Sequence, residues 1–306
     1  MSKKNIAAPL FIALLLIQSA NAEHKVTPIP ADLRTQFKLD AFYTKCVNYH
    51  GFPIVSSDKV PDAAMREAAY LIDKMLGNRP DVLKAMIKNG VRFSVMAKDE
   101  FTTDIPEHAH LKPKIYWDKR ARGLGATPSA PSVSCGEENL LLYQGDKYFL
   151  ENILIHEFAH AIHEMGMNTV DPMFDRDLER TFDAAIAKGK WKGTYAATNH
   201  REYFAEAVQS WFHCNRINDH QHNHVNSRKQ LQEYDSGAMK MVKRVFRDNP
   251  WTYQRVDTRK VDLDHLGDFD RKKAPRFKWP DHLKDFDAYQ WERDQKAEEK
   301  KEDDKE

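Results

Sequence analysis

Five residues, His156-Glu157-Phe158-Ala159-His160, restrict this chain more than any other part of it. On a helix, positions i and i+4 share one face, so both histidines can aim a ring nitrogen at one zinc ion with Glu157 beside it. Zinc lowers the pKa of a water ligand toward neutrality, and a neighbouring carboxylate can take the proton released. The chemistry requires a helix here, and the flanking sequence predicts one. Residues 151–164 contain neither Pro nor Gly, and Ile153, Leu154, Phe158, Ala161, Ile162 and Met165 recur at helical spacing. Gly166 is the expected stop. In a chain with 14 His among 306 residues the pattern does not decide the matter alone.

The first 22 residues read as a secretory signal: Lys3 and Lys4, an apolar run from Ile6 to Ile17, and Ala20-Asn21-Ala22 as the cleavage site. The run is too short for an ordinary membrane span, and no later segment is long or apolar enough. The expectation is a secreted, extracellular protein (periplasmic if bacterial), with no membrane contact after cleavage. Losing two lysines takes the formal charge from +1 to −1, a balance that argues against nucleic acid as a partner. Three cysteines, Cys46, Cys135 and Cys214, allow one disulfide of any pairing, and none has the C-x-x-C spacing of a structural zinc site.

Residues 23–60 read as an extended lead-in with a short helix near 40–47. Pro61 opens a helix over 62–76 that Gly77 closes, and a second helix over 81–88 ends at Asn89-Gly90. Residues 91–96 alternate apolar and polar and predict a half-buried strand. A loop over 122–131 and one or two strand pieces within 132–143 lead to the metal helix, with a turn at Gly136-Glu137-Glu138-Asn139 that either borders the substrate groove or is a plain turn. Helices over 172–188, 202–213 and 236–246 follow. The domain is expected over 61–260, with a C-terminal extension over 261–306 whose charged end, from about 295, is too polar to order itself.

A catalytic zinc usually has three protein ligands and a water. Glu202 lies 42 residues after His160, and Glu206 follows at i+4, so both carboxylates can face one cleft. The ligand would be Glu202, and Glu206 is a candidate to orient a ligating histidine from behind. Tyr195 stands seven positions before the run Glu202-Tyr203-Phe204-Ala205-Glu206-Ala207. Together with His156 to Ala161, this resembles the catalytic domain of anthrax lethal factor and its relatives, over about residues 151–212. The resemblance implies that His156, His160 and Glu202 hold one zinc, that Glu157 is the general base, and that Tyr195 is an active-site hydrogen-bond donor. It implies nothing about substrate, and no part of the chain matches that toxin's delivery domains.

The metzincin pattern is excluded, because residue 163 is His where that pattern has Gly, and 166 is Gly where it has His. His163 then reads as a helix residue near the site, with metal ligation as the alternative. His213, His220, His222 and His224 read as a polar surface loop, with a second metal site as the alternative. The expected architecture is α+β and zincin-like: a small sheet and helices before the metal helix, an all-helical lobe after it, and the site in the cleft between. The expected function is a secreted zinc metallopeptidase acting on a peptide or protein. Its rivals are an inactive zinc-binding interaction protein and a hydrolase of a non-peptide amide.

Overall fold

In the computed structural model, which describes residues 24–303, the chain enters through a two-residue strand, β1 (Thr27–Pro28), and a short helix, α1 (Ala31–Phe37). Strands β2 (Lys45–Tyr49) and β3 (Phe52–Ser56) form a hairpin. Its link is His50-Gly51, with φ of 51° and 89°, the left-handed pair that a two-residue type I′ turn needs. Side chains of the hairpin alternate between two covered faces. Val47, Tyr49, Phe52 and Ile54 enter the main core, while Cys46 and Val55 join a smaller cluster with Leu33, Phe37 and Tyr43. Residues 45–56 therefore belong to the sheet. The helix expected over 40–47 is corrected accordingly: residues 45–49 are a strand. The signal over 1–22 lies outside the described residues.

Helices α2 (Asp62–Leu76) and α3 (Pro80–Lys88) form where Pro61, Gly77 and Asn89-Gly90 predict them. After β4 (Arg92–Met96) come α4 (Lys114–Arg120), β5 (Gly123–Leu124) and β6 (Ser132–Gly136). The six strands lie in the order β1-β2-β3-β4-β6-β5, parallel at β3/β4 and β4/β6 and antiparallel elsewhere. Strand β4 is buried on both faces rather than half-buried, because a central strand of a covered sheet has no solvent side. Its polar residues are instead satisfied internally: Arg92 Nε donates to Glu107 at 2.8 Å, and the Ser94 hydroxyl meets those of Tyr43 and Ser132 at 2.9 and 2.7 Å.

The expected second strand piece is a helical turn, α5 (Glu137–Leu140). This turn is internal and does not border a groove. Glu138 pairs with the fully buried Arg122 at 2.5 and 3.0 Å. The Asn139 amide bonds Asp146, Tyr148 and Glu151, and its carbonyl accepts from Ile153 N–H at 2.8 Å, which braces the start of the next helix.

That helix, α6 (Ile153–Ala161), carries the metal motif. Gly166 does not end it. The chain continues through a π-helical turn, Ile162–Met167, and on to Val170. Gly166 serves a close approach: a Cβ there would sit 2.7 Å from Val82 Cγ1 on α3. Beyond it the chain is helical, with α7 (Phe174–Ala187), α8 (His200–Phe212), α9 (Arg228–Tyr234) and α10 (Ser236–Phe246). The protein is thus α+β, with a small sheet before the metal helix and helices after it.

Residues 251–303 return across the domain and end in α11 (Asp281–Lys284) and α12 (Ala288–Asp303). Arg259 forms a buried two-bond pair with Glu67, and His265 Nε2 meets the same carboxylate at 2.6 Å. Trp291 packs on Tyr116 of α4 at 4.6 Å between ring centroids. Where a structureless end was expected from about 295, the helix runs to Asp303. Ala, Glu, Lys and Gln are strong helix formers, and the anchored first turns of α12 supply the nucleus they extend. All three cysteines are buried and unpaired. Among the described residues, no helix is long and apolar enough to cross a membrane.

Candidate active site

Helix α6 starts in a defined place because Asn152 caps it, its side chain accepting from Ile155 N–H at 3.0 Å. Phe158 anchors the buried face between Phe52 and Phe93 of the sheet, at 5.8 and 6.3 Å between centroids. The opposite face turns His156, Glu157 and His160 toward α8. That helix is capped by Asn199, whose side-chain Oδ1 accepts from Arg201 and Glu202 N–H at 2.9 and 3.0 Å.

Three donor atoms converge between the two helices. His156 Nε2 lies 3.1 Å from Glu202 Oε2, His160 Nε2 lies 3.4 Å from the same oxygen, and the two ring nitrogens are 3.3 Å apart. Tetrahedral zinc with bonds of roughly 2.0–2.1 Å places neighbouring ligand atoms about 3.3 Å apart, so the spacing fits. The tautomer fits as well. Gln209 Oε1 sits 2.9 Å from His156 Nδ1, and an amide oxygen can only accept. That places the proton on Nδ1 and leaves the Nε2 lone pair facing the other donors. Burial pushes the Glu202 carboxyl up in pKa, but when the two rings carry protons on Nε2, His160 and His156 outweigh burial and hold it well below the usual carboxylate range; an ion held there would take the place of those protons.

The structure therefore brings His156, His160 and Glu202 together as the sequence predicts. Glu206, expected behind a histidine, stands 3.7 Å from His156 Nδ1. The direct partner is Gln209, which neither motif singles out. Its signal was available: Glu202, Glu206 and Gln209 are i, i+4 and i+7, one stripe of α8. Glu206 itself is buried, accepts from Asn215 Nδ2 at 2.8 Å and faces His222 Nε2 at 3.5 Å. The His-rich loop thus sends His222 inward, while His220 and His224 are exposed. None of the four loop histidines belongs to a metal-ligating group among the described residues.

Tyr195 opens a short 3₁₀ turn, fixed by its N–H donating to Gln221 C=O at 2.8 Å, and its ring centroid lies 6.2 Å from that of His156. Burial, reinforced by the Glu202 charge, raises its phenol above the ordinary value, so it stays a neutral hydrogen-bond donor. No motif points to Arg120. Its guanidinium lies over the rings of Tyr195 and Tyr289, at 6.0 and 5.0 Å. Tyr289 comes from α12, and no local pattern links residues so distant in the chain.

Two recesses meet at these residues. A cleft of about 370 Å³ runs along Leu124–Thr127 past His160, and a narrower one of about 60 Å³ extends toward Tyr148, Arg216 and His222. Arg120, Gly123, His156, Glu157 and Tyr195 line both. The floor is the sheet-side edge and the wall is the helical lobe, so the site occupies the expected cleft. Gly123 allows β5 to pass directly over the metal helix, since a Cβ there would lie 2.5 Å from Ile153 Cγ2 and 3.1 Å from Glu157 Cγ.

No family model matches the chain, and no curated protein does. Among solved structures, the chain is similar to the Pro-Pro endopeptidase PPEP-2 from Paenibacillus alvei. The two are 19% identical with a TM-score of 0.36, over 62% of this chain and 94% of that one. A likeness of that size carries no function across. The resemblance to the lethal-factor catalytic domain thus rests on the two motifs alone, around His156 and around Glu202.

Proposed function

We propose that this chain is an exported zinc-dependent metallopeptidase. The observation that supports it most is the convergence of His156 Nε2, His160 Nε2 and Glu202 Oε2 at tetrahedral-edge spacing, next to a carboxylate on the same helix. Bound there, a zinc ion would supply a Lewis acid and a water that ionises near neutral pH. Glu157, on the same helix, would accept that water's proton and return it to the leaving amine. Tyr195 donates a hydrogen bond to the oxygen on which charge develops, a contact worth most in the transition state. Gln209 holds His156 in the tautomer that leaves Nε2 free. Export is supported by Lys3, Lys4, the apolar run from Ile6 to Ile17 and the Ala20-Asn21-Ala22 site.

The test is cleavage of a peptide library by the purified mature chain, with and without a chelator, followed by zinc restoration. Cleavage that chelation abolishes and zinc restores is expected. Glu157→Gln should keep its zinc and lose turnover by roughly 10²-fold or more, the lower range for removing a general base. Bound zinc without cleavage of any peptide, in wild type and variant alike, would leave a zinc-binding protein without peptidase activity.

A further inference from the structure

The two ligand-bearing helices approach each other a second time. Three residues after His160, the π-turn points His163 toward the start of α7, and two residues before Glu202, α8 opens with His200. Asp175, in the first turn of α7, stands between them. Its Oδ1 lies 2.8 Å from His163 Nε2 and 3.1 Å from His200 Nε2, and the ligand atoms of all three lie within 4.8 Å of one another. Two imidazoles and one carboxylate form the same donor set that gathers at the candidate active site, and it suits zinc-like divalent ions.

The surroundings are those of a built site. His163 is fully buried, and its ring is held edge-on by Phe174 and Phe204 at 5.5 and 5.7 Å between centroids. Its Nδ1 is buried with no hydrogen-bond partner, so its tautomer is set only by what faces Nε2. The ring can therefore offer Asp175 a proton or offer a cation a lone pair. His200 and Asp175, with side chains 19% and 47% exposed, open the other side to water, which leaves a path for an ion and a fourth ligand.

We propose that His163, Asp175 and His200 hold a second divalent transition-metal ion that clamps the end of the metal helix to the start of the third-ligand helix. The ion fixes the spacing between His160 and Glu202 from outside the cleft. It takes no part in the chemistry, and the proposal does not rest on peptidase activity.

The test counts metal. The full mature chain is stripped with a chelator, dialysed against Zn²⁺ or Co²⁺, freed of loose ions and analysed for bound metal. Two equivalents are expected in wild type. Asp175→Asn and His200→Gln should each reduce the count to one, as should the pair His156→Gln/His160→Gln, and combining Asp175→Asn with that pair should give none. Asp175 is half exposed and the Asn side chain has the same shape, so a melting curve near wild type should accompany the lost ion. In Asp175→Asn the remaining ion should be held roughly tenfold or more weakly, the range for losing a group that positions ligands. A wild-type count of one that Asp175→Asn leaves unchanged would overturn the proposal, leaving a hydrogen-bonded His-Asp-His cluster. One equivalent persisting in His156→Gln/His160→Gln supports this site whatever the peptide assay shows.

Discussion

At the scale of single residues, the site separates holding from reacting. Gln209 holds: its oxygen accepts from His156 Nδ1 at 2.9 Å, and its amide nitrogen approaches Glu151 and the Asn152 carbonyl at 3.3 and 3.4 Å. Gln209→Leu keeps the volume but removes that acceptor. Metal affinity measured by chelator competition should fall roughly 10- to 100-fold. Glu206→Gln, whose oxygen is farther from the ring, should do less; the reverse order would return the positioning role to Glu206. Tyr195 is placed to react. Tyr195→Phe should lower kcat by roughly 10²-fold with little change in KM and no loss of zinc. Steady-state kinetics beside metal analysis checks this, and an unchanged kcat would make the ring structural.

At the scale of elements, the π-turn after α6 is where local propensity and tertiary packing diverge. Glycine in a helix costs about 1 kcal/mol relative to alanine, which favours Gly166→Ala on propensity alone. The new methyl would meet Val82 Cγ1 at 2.7 Å and Met86 Cγ at 3.2 Å. Val82 is β-branched and fully buried, so it cannot swing aside, and forcing a methyl into a filled core costs roughly 1–3 kcal/mol. The packing term should win. Gly166→Ala is expected to lower Tm in a thermal melt, and an unchanged or higher Tm would show that α3 yields. The turn that resembles a stop is a contact, and the reason lies in Val82 and Met86 of an earlier helix.

At the scale of the whole molecule, residues 251–303 return to pack on the rest of the chain. Arg66 donates to the carbonyls of His265 and Leu266, Phe277 N–H reaches Gln144 C=O at 2.9 Å, and Lys119 Nζ reaches the Leu283 carbonyl at 2.7 Å. These contacts tie the C-terminal segment to both the sheet side and the rim of the site. A chain ending at residue 260 should therefore melt below the full chain, by roughly 5 °C or more if about 2 kcal/mol is lost. It should also lose the support of Tyr289 beneath Arg120. A chain ending at residue 295 should melt with the full chain. Equal melting of all three would favour the boundary at 260 that the sequence suggests.

What the sequence by itself determined is whatever one helix or one spacing contains. His156, Glu157 and His160 share a face because four residues make just over one turn, and Glu202 and Glu206 do so for the same reason. Pro61, Gly77 and the period of the apolar residues between them set α2 without reference to the rest of the chain. Tertiary structure alone decided the remainder. The His50-Gly51 hairpin lacks the usual turn signal and is held by burial on both faces of the sheet. Gln209 rather than Glu206 meets His156 because a crossing of two helices, and not a period within one, sets which side chain arrives. Arg120 and Tyr289 meet at the site through a segment that folds back over more than a hundred residues, a contact that no local energy term encodes.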